Sequence, residues 1–131
     1  MVLLAPMPDV ESALMFALVP MEPDIRFVTT MPAGDLTLIT ARIKRSSGGQ
    51  GTSKWVDRPV VDIDVWGQSV SQMQVSIAAR NIQADIMSLM SKIVTNGVIQ
   101  SVQTVSSPRQ LPEVNTALVR YNASYEIRIH P

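Results

Sequence analysis

Two aspartates, Asp62 and Asp64, have the residue type and spacing that chemistry needs. On an extended strand, positions two apart point to the same face about 7 Å apart. A pair so placed suits a hard cation or acid–base work. The competing reading is the polar half of an amphipathic strand, paired with Arg or Lys across a sheet. It is the better one, because neither a third carboxylate nor a histidine adjoins the pair. The single histidine, His130, stands next to the last residue. A general base must be held in place by packing, and chain ends fray. Gly48-Gly49-Gln50-Gly51 followed by Lys54 suggests a phosphate loop only by composition. The Walker spacing is missing, and no helix start follows directly to receive a phosphate. We therefore expect no enzyme, with no catalytic residue, no metal site and no cofactor.

Composition narrows the field in the same direction. The 131 residues suit one domain over 1–131 that needs no covalent staple. There is no cysteine, which rules out disulfides, thiolate zinc sites and a cysteine nucleophile. Eleven Lys and Arg balance eleven Asp and Glu. Net charge near zero argues against a whole-chain nucleic-acid binder and favours self-association. The first basic residue is Arg26, too late for the basic start of a signal peptide. No run approaches the roughly 20 apolar residues of a membrane span. We expect a soluble protein, not exported by the usual route, with no membrane partner.

These residues need elements to position them. Pro8-Asp9-Val10-Glu11 predicts a helix start, and Pro20 a stop, giving a helix over 8–18. Val10, Leu14 and Ala17 share a stripe, with Met15, Phe16 and Leu18 off it, so this helix should be covered on two sides. Strands are predicted over 25–30 and 36–45, with a turn at Pro32-Ala33-Gly34-Asp35 between them. A glycine- and serine-rich loop, about 45–56, should be flexible and is flanked by basic residues. Residues 58–66 alternate as a strand that Gly67 breaks. Ser69 and Gln72 form a capping-box pattern, opening a helix over 69–95 that Asn96-Gly97 ends. Strands follow over 98–105 and 116–130, with a loop through Ser106-Ser107-Pro108 and Leu111-Pro112-Glu113 between them. The last strand has one face of Ala117, Val119, Tyr121, Ala123, Tyr125, Ile127 and Ile129, and polar residues on the other. The sum is an α+β domain: a mostly antiparallel sheet of four to five strands packed against one long and one short helix.

Binding features are few. The loop and its flanks carry Arg42, Lys44, Arg45, Lys54 and Arg58, with Trp55 as the interleaved aromatic. A solvated loop, a protein-docking arm and a contact to nucleic-acid backbone all remain open; one aromatic is too few for base stacking. Met73, Met87 and Met90 suit core filling. Trp66 is either a partly buried strand end or an anchor for a neighbouring subunit.

A family resemblance rests on these segments. Arg42-Ile43-Lys44-Arg45, the Gly48-Gly49 loop, Asp57-Arg58-Pro59-Val60-Val61-Asp62-Ile63-Asp64-Val65-Trp66-Gly67 and the following helix resemble the tail-terminator proteins of long-tailed actinobacteriophages. So does the start, with Pro8-Asp9-Val10-Glu11, a first helix and an Arg26-bearing strand. The long helix departs from the pattern at Gln72-Met73-Gln74, where smaller residues are expected. The resemblance implies a homo-oligomeric ring, typically a hexamer, on the head-proximal end of the tail in the virion. Its partners would be the major tail tube protein and the head–tail connector, with DNA passing through the lumen unbound. The loop residues Arg42, Lys44, Arg45, Gly48, Gly49, Lys54, Trp55 and Arg58 would contact a partner. Subunits would meet through Asp62, Asp64, Trp66, Arg120 and Arg128. The alternatives are a head–tail joining or head-completion neck protein, or a small nucleic-acid-binding module using the basic loop.

Overall fold

Asp9 opens the first helix, α1 (Val10–Leu18), by accepting the Glu11 N–H at 3.1 Å and the Ser12 hydroxyl at 2.9 Å. In this computed structural model, residues 8–30, 38–48, 56–94 and 97–131 are described. Val10, Ala13, Leu14 and Leu18 are buried, so Leu18 belongs to the core rather than lying off the stripe. Phe16 is 59% exposed, and within one chain α1 is covered on one side, not two.

The strands are β1 (Arg26–Val28), β2 (Thr40–Gly48), β3 (Pro59–Gln68), β4 (Lys92–Val94), β5 (Gly97–Leu111) and β6 (Leu118–His130). They form one mixed sheet in the order β1-β2-β3-β6-β5-β4. Only the β1–β2 pair is parallel. The α+β class and the antiparallel centre match the sequence reading, but the sheet has six strands rather than four or five. The turn expected at 32–35 lies outside the described residues.

The added strand explains the largest correction. A 3-10 turn over Ser69–Ser71 leads into α2 (Gln72–Met87), which has 16 residues and ends well short of Thr95. That makes it about 24 Å long. Its stop is a tight turn in which the Leu89 N–H donates to the Ile86 carbonyl and the Lys92 N–H to the Leu89 carbonyl. Ser91 adopts a φ of 64° in the turn, the left-handed region. The apolar spacing of Ile86, Leu89 and Ile93 persists through the turn, so periodicity alone extends the helix too far. In space Leu89 is buried under the turn, while Ile93 is 82% exposed on β4, which pairs with β5. The capping box is not made: neither Gln68 nor Ser71 caps with its side chain, and the Ser69 N–H donates to the Ala117 carbonyl.

Strand β5 also runs through Ser106-Ser107-Pro108, which composition marks as loop. Its pairing with β6 shifts between Ser106 and Arg109, and Pro108 falls in that irregularity. A bulge is where a strand tolerates a missing N–H.

The two helices share one face of the sheet. Ala41, Ile43, Val61, Ile63, Val65, Ala123, Tyr125, Ile127 and Ile129 point into a single apolar cluster beneath them. Gln72, Met73 and Gln74 are exposed, and α2 meets the sheet through Val75, Ala78, Ala79, Ile82 and Ile86. The small residues that the packing needs therefore lie one turn further on. Gly67 does not break β3, which continues to Gln68. A side chain there would run into Val75, so glycine lets α2 sit close to the strand.

Candidate functional site on the open face of the sheet

Alternation along three central strands brings one set of polar residues together on the face away from the helices. Arg42, Asp64 and Asn122 form one cross-strand row, and Thr40, Trp66, Arg120 and Leu111 form the next. Asp64 is only 2% exposed although it faces away from the core. Its Oδ2 accepts from Arg42 Nη2 at 2.8 Å. Its Oδ1 accepts from Arg120 Nε at 3.1 Å and Nη2 at 3.0 Å, and from Asn122 Nδ2 at 2.9 Å. Four donors thus surround one carboxylate, as a buried charge requires.

Trp66 completes the cluster. The guanidinium carbons of Arg42 and Arg120 lie 5.2 and 5.4 Å from its ring centroid, within cation–π range. Its indole N–H donates to Glu113 at 3.2 Å, and the residue is 7% exposed. The two arginines keep 27% and 29% of their side chains open to solvent. Arg42 Nε is buried without a hydrogen-bond partner. What this face offers a partner is the outer edges of two guanidinium groups on a tryptophan shelf. Asp64 itself is already fully engaged by its own chain.

Asp62 stands on the same face, as the strand spacing predicts, opposite Lys44 and Ser124. It accepts the Ser124 hydroxyl at 2.6 Å. The two aspartates thus serve separate rows, each with its own partners. Among the described residues no group of three or more His, Cys, Asp or Glu is arranged to hold a metal. His130 ends β6, its Nδ1 3.0 Å from the Pro131 carbonyl oxygen.

The other sequence candidates go elsewhere. Arg45 makes a two-pronged pair with Asp57, at 2.9 and 3.0 Å, and its N–H donates to Glu11 on α1. Asp57 bridges in turn to Ile129 of β6, so Arg45 fastens the end of the sheet to α1. Arg58 is exposed at that same end, and Lys44 is exposed at mid-strand opposite Asp62. Arg128 lies on the open face opposite Ser101, away from the Asp64 row. Gly48 ends β2 opposite Pro59. Gly49, Lys54 and Trp55 lie outside the described residues. Sequence reasoning did not single out Asn122, Glu113 or Asp57 as site residues. Asn122 had a readable signal, two positions from Arg120 on the polar side of β6; Glu113, in a loop, had none.

A second feature is a groove between the segment after α1 and the flank of α2. Glu22, Pro23, Asp24, Ile25, Ile39, Gln74, Ile77, Ala78 and Asn81 line it. Burial, with the nearby charges of Asp85 and Asp24, pushes the Glu22 carboxyl above the usual range; burial also raises Asp85.

No protein-family model matches the chain, and no curated protein sequence matches it. Among the described residues no helix is long and apolar enough to cross a membrane. The fold has relatives among solved structures. A chain from the "Virion of native gene transfer agent (GTA) particle" superimposes with a TM-score of 0.61 at 12% identity, over 95% of this chain and 87% of that one. Another solved chain, at a TM-score of 0.48 and 14% identity over 93% of this chain and 95% of that one, is too distant to carry an argument. At this identity the likeness is one of fold.

Proposed function

We propose that this chain is a structural, non-catalytic subunit of a phage-like particle, of the tail-terminator kind. Copies would form a ring on the head-proximal end of the tail tube, stop its growth, and present a surface to the head connector. The carrying observation is the shared fold, along nearly the whole chain, with a component of the gene transfer agent virion. The motif from Asp57 to Gly67 supports it, because the structure turns that segment into the central strand that carries Asp64 and Trp66 on one face and Gly67 against α2 on the other. The Asp62–Asp64 pair, its most tempting chemistry, is held by cross-strand donors, which suits a framework role.

The test is co-assembly. Tail tube subunit is polymerised in increasing amounts of this protein, and tube lengths are measured by electron microscopy. A terminator shortens the tubes in proportion to its concentration and decorates one end only. Tubes of unchanged length with bare ends would remove the reading. Binding to connector rings but not to tubes would move it to the neighbouring neck proteins, which resemble terminators in layout.

A further inference from the structure

The groove beside α2 has an apolar floor and an acidic rim. Ile25, Ile39, Ile77 and Ala78 form the floor, and Glu22 and Asp24 stand on the rim. Asp85 lies one turn beyond Asn81 on α2 and adds a third negative charge near Glu22. None of the three carboxylates makes an ion pair among the described residues. The nearest cation along the chain, Arg26, pairs in register with Thr40 on the other face. Arg80 lies on the opposite flank of α2, with Met73, Ser76 and Tyr121. Ile77 of the lining is 42% exposed, an apolar surface open to a partner.

The matching charge sits at the far end of the same molecule. Strands β1 and β2 start beside the groove, next to Ile25 and Ile39. Strand β2 then runs nine residues away from it, about 30 Å. At that end Arg58 is exposed and makes no ion pair among the described residues. An arginine side chain cannot span that distance within its own subunit. The protein as a whole carries no net charge, so copies do not repel one another at long range.

We propose that the groove receives the Arg58 corner of a second copy of this chain. The aliphatic stem of Arg58 lies on the isoleucine floor, and its guanidinium meets Glu22 and Asp24, as amphipathic cationic side chains do. Groove and corner are different surfaces, so the contact is heterologous: it closes a ring or grows a filament. This contact rests on the ring reading above and gives that ring its seam.

Sedimentation velocity tests it across a concentration series of the full chain, with circular dichroism to confirm folding of each variant. Glu22→Lys/Asp24→Lys and Arg58→Glu should each weaken self-association by about tenfold or more, from lost rim pairs and new like-charge repulsion. Mixing the two variants should restore higher oligomers in which they alternate, because each variant's corner is opposite in charge to the other's groove while like copies repel. The triple variant Glu22→Lys/Asp24→Lys/Arg58→Glu should recover the wild-type oligomer. Association that neither reversal changes would overturn this contact and leave the ring reading standing on the tube assay. A wild type that stays monomeric at high concentration would overturn the contact, and the tube assay would again judge the ring separately. Calcium raising the Tm of wild type but not of Glu22→Gln/Asp24→Asn, with no rescue by the triple variant, would assign the groove to a cation instead and overturn the proposal.

Discussion

The two faces of the sheet bury their residues by opposite means. Under the helices, β3 and β6 contribute Val61, Ile63, Val65, Ala123, Ile127 and Ile129, and burial there is apolar area removed from water. On the open face the same strands bury Asp64 and Trp66 beneath arginines, with no helix above them. The first face derives its stability from packing, which is insensitive to which apolar neighbour supplies it. The second depends on pairing, where removing one member leaves the others without partners. A sheet can thus keep a solvent-facing side ordered without a second layer.

Substitutions on each face test the contrast. Ile127 is fully buried, and Ile127→Ala should cost about 4 kcal/mol, from lost transfer energy and the cavity left behind. Asp64→Ala should cost less, about 3 kcal/mol, because the freed arginines are already partly exposed and turn toward water. Urea unfolding measures both. The distinguishing result is in the second step: Arg120→Ala added to Asp64→Ala should recover part of the loss, since it removes a guanidinium left facing Arg42. A strictly additive double variant would show that the open-face cluster is not a coupled unit. Adding Val61→Ala to Ile127→Ala should recover nothing.

Residues 66 and 67 set the two regimes side by side, since Trp66 faces the arginines and Gly67 faces Val75 of α2. Gly67→Ala places a methyl group where the Val75 side chain already is, and should cost about 2 kcal/mol. Val75→Ala in the same chain should return much of that loss by vacating the space. If Gly67→Ala is neutral by thermal melting, α2 has room to lift from β3 and the close approach does not constrain the fold.

Much of this contrast could be read in the sequence, and what could not has identifiable physical causes. Strand β6 was legible because period-two alternation over Leu118–His130 survives into the structure, with every second residue from Val119 to Ile129 buried or half-buried. The same rule put Asp62, Asp64 and Trp66 on one face. It could not say that Arg42 and Arg120 converge on Asp64, because that depends on strand order, with β3 between β2 and β6. The end of α2 was missed because Leu89 and Ile93 keep helical spacing while a left-handed Ser91 and pairing with β5 redirect the chain. The Asp57 tie to Arg45 was hidden because it joins residues 12 apart in sequence, and only the fold brings them together.

Tyr125 breaks the apolar rule of the helix-covered face, and gives the smallest expected effect. It is 1% exposed, and its hydroxyl is buried with no hydrogen-bond partner. The ring adds apolar area, but the hydroxyl has lost its water without replacement. Tyr125→Phe keeps the ring and removes that cost, so it should be neutral or stabilising by up to about 1 kcal/mol, seen as a higher urea midpoint at unchanged slope. Burial also pushes the Tyr125 phenol well above its ordinary pKa. Above roughly pH 10 the unfolded chain loses that proton while the folded chain holds it, so wild-type stability falls as pH rises. The Phe variant lacks this contribution, and its advantage should widen with alkalinity. A destabilised Phe variant would mean that the hydroxyl is bonded in solution, and that the covered face, like the open one, relies on polar pairing.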